Sequence, residues 1–119
     1  DTRGWVKKGY LDYIVPQIYW PFGHEVAAYA ALVDWWSQQV KGTGTDLYIG
    51  IAAYQAGSSS LWNNPDELYN QLRYDRKYPE VKGEVFFSCR SILAPRNPVM
   101  RNALSRIYQR CWIRPALVP

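Results

Sequence analysis

Short runs rich in β-branched and aromatic residues alternate with segments whose apolar positions follow helical spacing, and this strand-then-helix order recurs three times. Leu11 to Tyr19 (LDYIVPQIY), rich in β-branched and aromatic residues, predicts a buried strand, which Pro21-Phe22-Gly23 breaks. From His24 to Val40 the apolar positions Val26, Tyr29, Ala30, Val33 and Val40 follow helical spacing, and Gly42 closes the helix. Leu47 to Ala53 (LYIGIAA) predicts a second strand, apolar almost throughout and so covered on both faces. A loop containing Gly57-Ser58-Ser59-Ser60 follows. Asn64-Pro65-Asp66-Glu67 then reads as a helix start, with Asn64 as N-cap and Pro65 at the first position; Pro79 ends this helix after Tyr78. The third strand lies within Val81 to Ser88. Asn97-Pro98 opens a third helix, on which Met100, Ala103, Leu104, Ile107, Tyr108 and Cys111 recur at helical spacing. A short helical turn over Thr2 to Lys8 precedes the first strand, and Pro115 to Pro119 forms an extended tail.

Three strand-then-helix units in succession specify an α/β fold with a parallel sheet and right-handed crossovers. The strands begin near Leu11, Leu47 and Glu84, so each unit takes roughly 35 residues, near one eighth of a ~250-residue (β/α)₈ barrel with modest loop insertions. An open doubly wound sheet has the same periodicity. No Gly-x-Gly-x-x-Gly or phosphate loop follows any strand, which removes the nucleotide-binding version of that sheet.

A chain of 119 residues suffices for one compact domain, residues 1–119. Its six Trp and ten Tyr suit either a core or a surface that stacks on rings. The net charge of +4 arises largely from Arg101, Arg106, Arg110 and Arg114 in and after the last helix, a solvated face rather than a nucleic-acid surface. Cys89 and Cys111 lack metal-ligand spacing and read as buried, inert thiols. No stretch reads as a signal peptide or a membrane span.

The run Asp1-Thr2-Arg3-Gly4-Trp5-Val6-Lys7-Lys8-Gly9, then Asp12-Tyr13-Ile14-Val15-Pro16-Gln17-Ile18-Tyr19-Trp20, closely resembles a bacterial family, glycosyl-hydrolase-like family 10. Leu32-Val33-Asp34-Trp35-Trp36, Leu47-Tyr48-Ile49-Gly50, Val81-Lys82-Gly83, Phe86-Phe87-Ser88 and Pro115-Ala116-Leu117-Val118-Pro119 extend the match in order. The resemblance implies three consecutive βα units of a TIM-type barrel, its last three, and hence an incomplete barrel. It implies hydrolysis of glycosidic bonds in a polysaccharide or glycan, and a parent protein outside the cytoplasm or in the cell envelope. In the family an Asp-rich signature at the end of an earlier strand looks like the catalytic centre; no such segment occurs here.

Glycoside hydrolysis generally needs two carboxyl groups about 5 to 9.5 Å apart, projecting in a TIM barrel from strand C-terminal ends. Asp12, Asp46, Glu80 and Glu84 read as strand beginnings, Asp34 and Asp75 as helix interior, and Asp66 and Glu67 as first-turn acids that offset the helix dipole. Glu25 alone follows a strand end closely, and it too reads as a first-turn acid. No acid pair emerges, so the catalytic carboxylates are expected upstream and the chain alone is expected to be inactive. His24, the one histidine, has no second His or Cys nearby, so neither a metal site nor a cofactor is expected.

The strand ends do offer a substrate-binding set. Gln17 and Tyr19 share a strand face, Trp20 follows at the rim, Tyr54 follows the second strand, Trp62 stands in its loop and Ser88 ends the third strand. Amide, hydroxyl and aromatic groups on one face suit a polyhydroxylated ligand. Trp35 and Trp36, in mid-helix, read as core. A glycan is thus the expected partner, for a hydrolase or for a non-catalytic carbohydrate-binding module. Three strands cannot close a barrel, so the bare sheet surfaces also predict self-association.

Overall fold

A computed structural model of the chain describes residues 1–26 and 28–115. The expected tail residues Ala116 to Pro119 lie outside that range. Helix α1 spans Thr2–Lys7, strand β1 Tyr13–Ile14, α2 Tyr29–Val40, β2 Asp46–Ile51, α3 Glu67–Asp75, β3 Val81–Phe86, α4 Cys89–Leu93 and α5 Pro98–Arg110. Single 3₁₀ turns at Ala53–Gln55 and Ser60–Trp62 lie in the loop between β2 and α3.

The three strands form one parallel sheet in the order β1-β2-β3, an open sheet of consecutive βα units. Register separates its two faces. Leu47, Ile49 and Ile51 of β2 pair with Val81, Glu84 and Phe86, while Tyr48 and Gly50 pair with Gly83 and Val85. An irregularity after Leu47 inserts Lys82 as an extra residue, which resets β3 so that Val81 and Glu84 both lie beside outward-facing β2 residues. On this outer face Ile14, Leu47, Ile49 and Ile51 join Val6, Tyr29, Val33, Leu68, Leu72, Met100, Leu104 and Ile107 in a single core. Burying a Leu or Ile side chain contributes about 1.5–3 kcal/mol, so this outer layer carries the apolar stabilisation. Among the described residues no layer covers the inner face, and Tyr13, Val85 and Phe87 are exposed on it.

Several boundaries shift for physical reasons. Strand β1 is shorter than Leu11 to Tyr19 because Pro16 lacks an N–H; pairing resumes only at the Gln17–Gly50 bridge. There Gly50 donates to the Pro16 carbonyl at 2.9 Å and Ile18 donates to the Gly50 carbonyl at 3.1 Å. A Cβ on Gly50 would stand 2.9 Å from that Pro16 oxygen, so glycine permits the close approach. Helix α2 begins at Tyr29, not His24: the Pro21 carbonyl accepts from both His24 and Tyr29, folding the segment into a loop. Val26, expected on the apolar helix face, is 91% exposed in that loop.

The Asn64-Pro65 start is a turn rather than a cap. Asn64 Oδ1 accepts from Asp66 N at 2.9 Å, and α3 begins at Glu67 with Asp66 as N-cap. Glu67 is the first-turn acid expected of it, and it is also buried and bonded to the Phe22 backbone. The same device works as expected at α5, where Asn97 Oδ1 accepts from Met100 N at 2.8 Å. Strand β3 ends at Phe86, so Cys89 starts helix α4 and is exposed, not buried; Cys111 is half-buried. Trp35 is also exposed, while Trp36 packs on the core. The basic last helix is partly neutralised by an Arg106–Asp66 ion pair at 2.6 Å, and Arg110 lies over the Tyr69 ring.

Candidate functional site at the strand C-terminal ends

Each strand delivers an aromatic ring at its C-terminal end. Tyr19 follows the β1 bridge, Tyr54 lies in the turn after β2, and Phe87 comes directly after β3. The ring centroids are 5.9 Å apart for Tyr19–Tyr54, 6.2 Å for Tyr19–Phe87 and 5.7 Å for Tyr54–Phe87, so the three rings form one cluster. Backbone bonds fix it: Phe87 donates to the Ile51 carbonyl at 2.9 Å, and Tyr54 donates to the Phe87 carbonyl at 3.2 Å. The peptide between Phe87 and Ser88 is cis. Desolvation, then the neighbouring Tyr54, raises the Tyr19 phenol above its ordinary range, so Tyr19 stays a neutral hydrogen-bonding group at physiological pH.

Gln17 lies one row below, exposed on the inner face opposite Gly50, with Val85 on the other side of that glycine. Trp20 is 43% exposed at the rim, its ring 4.6 Å from that of His24. Ser88 is half-buried and precedes α4. Gln17, Tyr19 and Tyr54 therefore share the strand-end face, with Trp20 at its margin and Ser88 following Phe87 in the chain. Trp62 does not join them: it is 5% exposed and belongs to the core. Phe87, which sequence reasoning absorbed into the third strand, is 55% exposed and touches both tyrosines. Its signal was available, since the inward alternation through Gly83 and Val85 continues to residue 87.

The acids are arranged differently. Glu84 is the fourth residue of β3 rather than its beginning, and it faces the helix layer beside Asp75 and Arg76. Asp75 is 1% exposed; burial pushes it up to about 8, the Tyr29 hydroxyl opposes that rise, and Glu84 adds to it. Burial likewise raises Glu84, against the pull of Arg76. This interacting pair lies on the outer side of the sheet, away from the aromatic cluster. Glu25 is exposed in the loop before α2. Among the described residues no group of three His, Cys, Asp or Glu could hold a metal ion, and no helix is long and apolar enough to cross a membrane.

Residues 1–69, more than half of the chain, match the family described as Glycosyl hydrolase-like 10. The chain belongs to that family. It is similar to the glycosyl hydrolase YngK of Bacillus subtilis (strain 168), at 41% identity over 122 residues that cover the whole chain and 23% of that protein. The glycosyl hydrolase DigH of Escherichia coli (strain K12) is 47% identical over 95 residues, covering 73% of the chain and 21% of DigH. This glycosyl hydrolase-like 10 chain thus spans less than a quarter of the length of the curated relatives it matches. Its parallel βα units agree with the resemblance seen in the sequence.

Proposed function

We propose that the chain forms the substrate-binding portion of a glycoside hydrolase acting on a polysaccharide or glycan, with the catalytic carboxylates outside these 119 residues. The cluster of Tyr19, Tyr54 and Phe87, one ring from each strand end, carries this reading. Rings with an apolar face and phenolic hydroxyls stack on the C–H face of a sugar while hydrogen-bonding its hydroxyls. Gln17 supplies an amide donor and acceptor to the same face, Trp20 extends the platform at the rim, and Ser88 adds a hydroxyl. Trp62 serves by packing in the core. Family membership and the names of the relatives support hydrolysis as the reaction of the whole protein.

The position of Asp75 and Glu84 behind the sheet favours a second reading, a carbohydrate-binding module without hydrolysis. Titration with soluble glucose, mannose, xylose and N-acetylglucosamine oligosaccharides, alongside a reducing-end assay, tests both. The first reading expects binding by the 119-residue chain and cleavage only by a longer protein carrying strand-end acids. Binding without cleavage by that longer protein supports the module. Cleavage by the 119-residue chain alone overturns the placement of the carboxylates, and absence of all binding overturns the glycan site.

A further inference from the structure

We propose that Glu67 and Gln71 of α3 are positioning residues for Trp20, setting the height and tilt of the rim ring and hence the fit of the sugar unit it meets; this rests on the glycan-binding reading above. The rim loop belongs to the first strand-helix unit, but its anchor belongs to the second. Glu67, 7% exposed, accepts from the Phe22 backbone N–H at 2.8 Å. The same Oε1 accepts from Gln71 Nε2 at 3.1 Å, and that Nε2 also makes a long 3.4 Å contact to the Trp20 carbonyl.

Two acceptors facing one amide nitrogen fix the orientation of the Gln71 side chain. Its Oε1 then points away, buried and without a hydrogen-bond partner among the described residues. Gln71 is fully buried, so leaving that oxygen unpaired is costly. An apolar residue would fill the position without that cost, and the amide is thereby assigned to holding the loop. The clamp grips the backbone on both sides of Pro21, at Trp20 and Phe22, while the Trp20 ring projects to solvent against His24.

Because a single carboxylate oxygen accepts both bonds, the chemistry separates two variants. Glu67→Leu removes the acceptor; Glu67→Gln keeps one. Protein carrying 5-fluorotryptophan gives the readout, with the Trp20 fluorine resonance assigned by its loss in Trp20→Phe. Glu67→Leu and Gln71→Met are expected to shift or broaden that resonance, Glu67→Gln to restore it, and the core deletion Leu104→Ala to leave it in place. Oligosaccharide affinity should fall on the order of tenfold in the two disruptive variants. It should fall no further when either is combined with Trp20→Ala. If Glu67→Leu does not fold, Gln71→Met carries the test, since it removes only the amide. A Trp20 resonance indifferent to Gln71→Met, or affinity losses that add to Trp20→Ala, overturn the positioning role. A resonance that moves in a protein that binds none of the oligosaccharides overturns the glycan reading instead.

Discussion

The Tyr29 hydroxyl lies within hydrogen-bonding distance of both carboxyl oxygens of Asp75, at 2.8 and 2.7 Å, across the gap between α2 and α3. Burial nevertheless dominates, and Asp75 rises from its ordinary 3.8 to about 8. Between those values the folded protein holds a proton that the unfolded chain releases. Asp75 therefore favours folding fully below about pH 4, and that contribution is lost as pH rises through about 8. Glu84, also raised by burial, acts in the same direction. Denaturation midpoints should fall from pH 5 to pH 8, with a slope of up to about 1.4 kcal/mol per unit from Asp75. Asp75→Asn should flatten that slope. A wild-type midpoint that climbs across this range would contradict the buried-acid account.

Asn97 and Gly57 meet where α5 begins. Asn97 caps Met100 N and donates from Nδ2 to the Ala56 carbonyl at 2.9 Å. Asn97→Ala should cost about 1–2 kcal/mol in thermal or urea unfolding. Gly57 has φ of +77°, and a Cβ there would collide with the Asn97 side chain. Gly57→Ala should therefore destabilise by more than the ~1 kcal/mol usual for a left-handed position. Equal stability of either variant and wild type would contradict this packing.

For the strand-end cluster, Tyr54→Ala and Phe87→Ala should each weaken oligosaccharide binding by about 0.5–1.5 kcal/mol, several-fold in Kd. Trp62→Ala should instead lower stability by about 3–5 kcal/mol, because its ring is in the core. Calorimetric titration beside a melting curve separates the two classes. Loss of stability without loss of affinity at Tyr54 and Phe87 would make the cluster a packing feature only.

The uncovered inner face offers Tyr13, Val15, Tyr48 and Val85 as an apolar patch, and β1 and β3 are both sheet edges. The 119-residue chain should self-associate, with sedimentation coefficients that rise with concentration. Val85→Lys, placing charge on that face, should reduce the effect. A monomer at all concentrations counts against it.

The three strand-helix units were legible because Leu47 to Ala53 and the Asn97-Pro98 helix pair periodicity with unambiguous punctuation. Details failed where one local feature had two uses. Asn64 spends its side-chain oxygen two residues on, in a turn, so the helix starts later than a cap would place it. Pro16 interrupts a strand whose pattern continues through it. Glu67 reads only as a first-turn acid, and its bond to the distant Phe22 backbone has no local signal. The positions of Gln17, Tyr19, Trp20, Tyr54 and Ser88 near strand C-terminal ends followed from the strand pattern alone. The exposure of Phe87 continues the alternation of Gly83 and Val85, whereas the burial of Trp62 depends on long-range packing that local pattern does not encode.

Several side-chain polar contacts join one strand-helix unit to the next. Phe22 binds Glu67, Tyr29 binds Asp75, Ser37 binds Glu80 at 2.9 Å, and Ala56 binds Asn97. Such stitching limits how relatives can recombine. A chimera that grafts a single unit severs a seam on each side and strands buried carboxylates such as Glu67 or Asp75. The smallest exchangeable block is two adjacent units taken together, so crossover points tolerated between homologues should skip the middle of such a pair.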